Sequence, residues 1–493
     1  GRSARGCARR GRRAGQPVSR GAAAGQAGAL VVGAGLAGLA AACTLARAGV
    51  ATTLLESCGE PGGLCRTVRH GALSWSLALY SLRGGAPGGP LATLLRELGV
   101  EERLPLRHTA RAYRVLLDGE EFPLVTEDEE MLAAADRMGG GADSLRPLLG
   151  RIRRFDPVRD HAALRGVTFA EATADLALPP RLRAAFCAPL LISLGLPPGR
   201  ASAYFAFMKY RLLLETGLSW PAGGAEALVG ALVARFLADR GDLRLGERVV
   251  RVVVGKSGRK TLTCESGERF AADGLVLACD ATAALEWLAP HLDERFRARG
   301  QRLRPALPAA LQLLAGPASL LAESGLDAYA HLVAVADEDL DGVYARLRLG
   351  DASASGLVAG LTSPATWEGP APDGRAAFTA FFFAAGAQAS AAGVYEQAES
   401  LHEALGPRGP VLEPVAEFTP RALQALAGNR DGAFCGWEMG PERYGPARIP
   451  QALPVPGVWL AGHWTDPGPS VLNAMLSGRT AALRLLAERR PAL

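Results

Sequence analysis

Lysine is almost missing from this chain of 493 residues: among 54 basic side chains only Lys209, Lys256 and Lys260 are lysines. The arginine bias reads as the mark of a GC-rich genome and carries no function by itself. Cysteine is sparse as well. Eight cysteines, with no Cys-x-x-Cys pair and no His/Cys cluster, exclude a disulfide scaffold and a zinc site. They point to a reducing compartment. Acidic residues are absent from residues 1–28, which hold seven arginines; the rest of the chain balances 47 basic against 49 acidic side chains. A nearly neutral body excludes a nucleic-acid face, which needs clustered positive charge. The Arg-rich leader has two readings, a transit peptide to a plastid or other organelle or a disordered tail of no consequence. In the second case the cytoplasm is the expected location. Long apolar runs are missing too. Segments of roughly 19 residues without charge occur near 28–46 and 376–394. The first is crowded with glycines and the second mixes Gln, Ser, Thr and Gly, so no transmembrane span is predicted.

What is present, 49% hydrophobic and 21% charged residues, is ordinary for a globular protein. The length suits two or three domains. Ala29 to Gly33 reads as a short, fully apolar strand, as at the centre of a parallel sheet. Leu36 to Ala48 reads as a helix closed by Gly49, and Ala51 to Glu56 as the next strand, completing one βαβ unit. Further on, Glu226–Asp239 has a helical pattern. Leu243–Gly246, Val249–Val254, Lys260–Cys264 and Gly274–Cys279 read as strands, Gly457–Ala461 as a strand and Leu472–Ala487 as a helix. The layout predicts an α/β protein. A Rossmann-type domain (29–100, 216–283 and 431–493), with a parallel sheet and a β-meander, accommodates an inserted α+β substrate domain (101–215 and 284–430).

The turn Gly33-Ala-Gly35-Leu-Ala-Gly38 lies between that first strand and its helix. Gly33 permits the tight turn, Gly35 lets backbone approach a pyrophosphate, and Gly38 lets helix and strand pack closely. The pyrophosphate sits on the helix N-terminus, beside Leu36 and Ala37, where free N–H groups favour an anion. Glu56, 18 residues after Gly38, is placed to accept hydrogen bonds from ribose hydroxyls. Alone, this fingerprint admits NAD as readily as FAD.

A second glycine pair follows in Glu60-Pro-Gly62-Gly63-Leu-Cys65-Arg66. It is similar to the extended FAD motif of the amine oxidase and phytoene desaturase superfamily. Trp220 to Leu228, Val249 on its strand, Thr419-Pro-Arg, and Gly457 to Arg479 with Gly462-His463 and Ser470-Val471 extend the resemblance over roughly residues 29–490. The resemblance implies an FAD enzyme of the phytoene desaturase or carotene isomerase type. It places Val249 at the adenine, Gly462 and His463 by the ribityl chain, and amides near Val471 against the isoalloxazine, where a helix N-terminus favours negative charge. Arg66 reads either as a phosphate contact or as a solvated surface charge. Cys65 reads as a small buried hydrophobe or as a neighbour of the flavin. Two departures stand out: His463 replaces a common acid, and Ser76-Leu-Ala78-Leu-Tyr80 replaces an Asp-x-Gly-x-His loop.

The implied chemistry is hydride transfer to flavin N5 from an apolar polyene, with oxygen or a quinone as electron acceptor and peripheral contact with a membrane to collect substrate. Pro189–Ile192, Ala203–Met208 and Phe378–Phe383 supply apolar material for a tunnel, or else plain core. The alternatives are a flavin amine oxidase or protoporphyrinogen oxidase-like enzyme and, more remotely, a non-catalytic lipid-escort protein. Amine oxidases commonly place a lysine near the flavin on the second substrate block, and 284–430 contains none. Of His70, His108, His161 and His463 only His463 has a motif around it. No catalytic acid or base and no metal site is assigned.

Overall fold

The computed structural model describes residues 27–386, 388–397, 401, 412–443 and 448–489. The Arg-rich leader, except for its last two residues, lies outside them.

Two large sheets organise the chain. In the first, Asp242–Leu245, Thr52–Glu56, Ala27–Val32 and Arg269–Leu277 lie side by side and parallel, with Val458–Leu460 parallel on the far half of Arg269–Leu277. The near half of that long strand turns into an antiparallel meander with Lys260–Cys264 and Val249–Val254. Ala29, Leu30 and Val31 are completely buried, which is why this strand shows no polar alternation. The helix Leu36–Arg47 is buried almost all round, because Gly224–Ala238 and Val471–Arg489 pack on it. Small residues permit that approach: a Cβ on Gly478 would lie 1.9 Å from the carbonyl oxygen of Ala37. The first helix ends as its sequence indicates, with Gly49 at φ +79° and its N–H bonded to the Ala46 carbonyl.

The second sheet runs in the order Glu413–Phe418, Ala309–Pro317, Arg375–Phe383, Val358–Thr362, His331–Val335, Arg111–Leu117, Glu120–Val125. All its pairings are antiparallel except that between His331–Val335 and Arg111–Leu117. The helix Pro180–Leu194 covers its middle strands. A hairpin, Thr67–His70 with Leu73–Ser76, leads straight from the second glycine pair to this sheet. There the Trp75 indole N–H lies 3.0 Å from the Leu314 carbonyl and 2.9 Å from that of Phe378.

The sheets do not follow the segment boundaries read from the sequence. Leu82–Arg83, Leu106–Thr109 and Leu218–Pro221 form one small sheet across both the 100/101 and 215/216 divisions. The 283/284 division cuts the helix Ala281–Leu288, whose Ala284 and Leu288 join the same core as Val249 and Val252. Among the described residues no helix is long and apolar enough to cross a membrane, and no His/Cys/Asp/Glu cluster could hold a metal ion.

Candidate active site

One cavity of about 720 Å³ opens between the two large sheets. Its nucleotide half is built from backbone. Gly33 (φ +98°) turns the chain out of the first strand, and its N–H bonds the Leu55 carbonyl at 2.7 Å. Gly38 does not line the cavity; a Cβ there would lie 1.8 Å from the Gly33 carbonyl oxygen, so it serves helix–strand packing. Gly35 is the opposite case, because a Cβ on it would meet nothing within 4 Å and would enter the cavity itself. Leu36 and Ala37 follow at the helix N-terminus, where first-turn N–H groups have no intrahelical acceptor. The second glycine loop is stitched to the first. Gly62 N–H bonds the Ala34 carbonyl at 2.8 Å, and a Cβ on Gly63 would sit 3.2 Å from the Gly35 Cα.

Glu56 is buried and braces both loops. One carboxylate oxygen accepts from Ala34 N–H at 2.7 Å, the other from Cys58 N–H at 2.9 Å and from the Ser57 hydroxyl at 3.2 Å. A carboxylate offers about four acceptor positions, so capacity remains for a ribose hydroxyl. Arg66 is buried, which removes its reading as a solvated surface charge. Its guanidinium stands 4.0 Å from the Glu56 carboxylate and 3.8 Å from that of Glu60, and its Nε makes no hydrogen bond. Cys65 is buried on the cavity wall, and burial pushes its thiol up to about 12. It is a neutral, small hydrophobe.

The remaining motif residues converge on the same cavity: Val249 beside Glu247 and Arg248, Gly462 and His463, and Ser470 and Val471. Gly462 N–H bonds the Ser477 hydroxyl at 3.0 Å. Burial and, behind it, the Arg448 charge lower the His463 imidazole to about 4, so it is neutral, and its Nε2 has no partner. Ser470, at φ +135°, delivers the chain into the helix Val471–Arg489 and caps it by accepting from the Asn473 N–H at 3.1 Å; Val471 and Ala474 of that first turn line the cavity. The open position above Gly35, the Arg66 Nε and His463 Nε2 that make no hydrogen bond, and two helix N-termini fit a dinucleotide carrying a redox ring.

The other half of the cavity is walled by side chains that no local motif announces. Tyr80, from the departing loop, stacks parallel to Phe434 with centroids 6.4 Å apart, and its hydroxyl donates to the Leu77 carbonyl at 2.8 Å. Strand alternation sends Phe381 to the cavity and Phe378 and Phe382 to a separate core. Ile192 lines the cavity, whereas Ala203 to Phe207 are core. Polar groups join them. The Arg83 guanidinium donates to the Tyr113 hydroxyl at 2.6 Å, Tyr113 stacks on His331 at 4.9 Å, and His331 Nε2 is 2.8 Å from the Ser81 hydroxyl. Lys209 reaches the cavity from the helix Ala203–Thr216 and donates to the Ser193 carbonyl at 3.3 Å. Burial, then the charge of Arg83, lowers His331 to about 3 and holds Lys209 well below the ordinary lysine value.

Of the residues read from the sequence as cofactor-binding, all but Gly38 line this one cavity, and Gly38 acts from behind the wall; residues 220–228 and 419–421 do not line it. A model of flavin containing amine oxidoreductases matches residues 36–486. Phytoene dehydrogenase of Streptomyces griseus is 30% identical over 60% of this chain and 60% of its own length. Hydroxyneurosporene desaturase of Cereibacter sphaeroides is 28% identical over 93% of this chain and 97% of its own length. A solved oxidoreductase from Methanosarcina mazei superposes with a TM-score of 0.67 at 16% identity, covering 92% of this chain and 99% of that one. The chain belongs to the flavin containing amine oxidoreductase family. Within it, this is an FAD-dependent oxidoreductase that resembles the phytoene desaturases.

Proposed function

We propose that this enzyme desaturates or isomerises an apolar polyene of the carotenoid kind. The observation that carries the reading is the cavity half facing the flavin end. Ile192, Val333, Phe381 and Phe434 supply its apolar wall, and the only carboxylates lining the cavity among the described residues, Glu56, Glu247 and Asp280, belong to the nucleotide half. An ammonium substrate would meet Arg83 and Lys209 with no counter-charge, which opposes the amine oxidase reading. FAD, when bound, supplies the hydride acceptor for an allylic C–H bond. The chain's own contribution is position and dryness. The Gly35–Ala37 amides and Arg66 would hold the pyrophosphate, Glu56 the ribose, His463 Nε2 the ribityl region, and the Val471 amide end the ring. Tyr80, Phe381 and Phe434 exclude water from the reacting carbons. Oxygen or a quinone would take the electrons, and peripheral contact with a bilayer would deliver the substrate. The test is anaerobic mixing of the FAD-loaded enzyme with carotenoids in liposomes. Bleaching of the visible flavin band by a polyene and not by amines is expected. Bleaching by amines alone would overturn the reading.

A further inference from the structure

The substrate half of the cavity is graded along the strands of the second sheet. Strand register sets Tyr113, His331, Thr362 and Thr379 side by side on four adjacent strands, all four on the cavity wall. Two residues further along, on the same face, the row is Val115, Val333, Gly360 and Phe381. One row is polar and the next is apolar. Arg83 and Lys209 stand at the same cavity as the polar row. Neither has a carboxylate partner among the described residues: Lys209 donates only to a backbone carbonyl, and Arg83 only to the Tyr113 hydroxyl, leaving its Nε buried and unpaired. An arginine and a lysine enclosed side by side without an anion are costly to charge together, and a pure hydrocarbon would leave them so. The Tyr113 hydroxyl accepts from Arg83 and keeps its own proton to donate.

Resting on the reading of this half as the substrate's place, we infer that the substrate is an apolar chain that ends in a carboxylate, held by Arg83, Lys209 and the Tyr113 hydroxyl. The chain then lies over Val333, Gly360 and Phe381 toward the flavin end. Gly360 adds room there, since a Cβ on it would meet Ile192 at 3.5 Å and Phe381 at 3.8 Å. A carboxylate held by both side chains also restores to Lys209 the charged form that burial and Arg83 disfavour.

The test uses the FAD-loaded enzyme with all-trans-retinoic acid and its methyl ester as probes, following the perturbation of flavin absorbance and tryptophan fluorescence. The acid is expected to bind about tenfold tighter than the ester or better, as one charge-assisted hydrogen bond allows. Arg83→Met and Lys209→Met should each remove most of that preference while FAD stays bound. Equal binding of acid and ester, a preference retained in the double variant, or binding of neither compound would overturn the inference. The comparison of acid with ester in the unmodified enzyme needs no variant to fold. Failure of the polyene reading would show separately, as an intact preference for acid with no polyene able to bleach the flavin.

Discussion

The two halves of the cavity are made of different material. The nucleotide half is largely backbone, glycines and helix N-termini, and among its carboxylates Glu56 ties two loops together. The substrate half is side chains, delivered by strands and helices far apart in the chain. A wall of backbone tolerates no added atoms where chain meets chain, yet is indifferent to side-chain chemistry. A wall of side chains can be rewritten residue by residue without disturbing the fold. One half fixes the cofactor, and the other is free to set the substrate.

Substitutions sharpen the contrast. Gly38→Ala should have the largest effect, because its Cβ would fall 1.8 Å from the Gly33 carbonyl. It should cost more than about 3 kcal/mol and leave the protein colourless, as read by urea unfolding and flavin absorbance. Gly35→Ala, three residues earlier, should keep a normal melting temperature, since its φ is −71° and its Cβ meets nothing within 4 Å. It should nonetheless weaken FAD about a hundredfold by occupying the pyrophosphate's place. A Gly35→Ala variant that retains flavin would break the comparison. Arg66→Met should weaken FAD about tenfold, measured by fluorescence titration, through loss of one charge-assisted contact.

The smallest expected effect lies across the cavity and has the opposite sign. The folded chain holds Lys209 below its ordinary value. Between the two values the unfolded chain binds the extra proton, so wild-type stability rises with pH over that interval. Lys209→Met, of similar volume, should therefore be more stable than wild type at neutral pH and show a flatter dependence, with FAD binding unchanged. Urea unfolding at neutral and alkaline pH checks both. A destabilised variant would mean that Lys209 is structural.

The same contrast explains what could be read in advance. Gly33, Gly35, Gly38 and Glu56 are legible because one βαβ turn imposes their spacing locally. The α/β fold class was likewise readable from strand and helix patterns. Arg66 could be placed only by the structure, since its burial comes from long-range packing around the second glycine loop. The polar row of Tyr113, His331, Thr362 and Thr379 is created by strand register alone, and no spacing in the sequence encodes it. Two signals did exist. Lys209 directly follows the apolar run Ala203–Met208 in a chain with three lysines, and His331 opens the apolar run Leu332–Val335.

The helix Val471–Arg489 packs with Gly478 against the Ala37 carbonyl, and Gly462 reaches the cavity from just before it. During synthesis those residues leave the ribosome roughly 400 positions after the first glycine turn. The nascent nucleotide strand and its helix must therefore wait, with an apolar flank exposed, for nearly the whole chain. Cofactor capture is thus a late event in the protein's life, and the bound dinucleotide acts as the seal on a finished fold rather than the seed of a growing one.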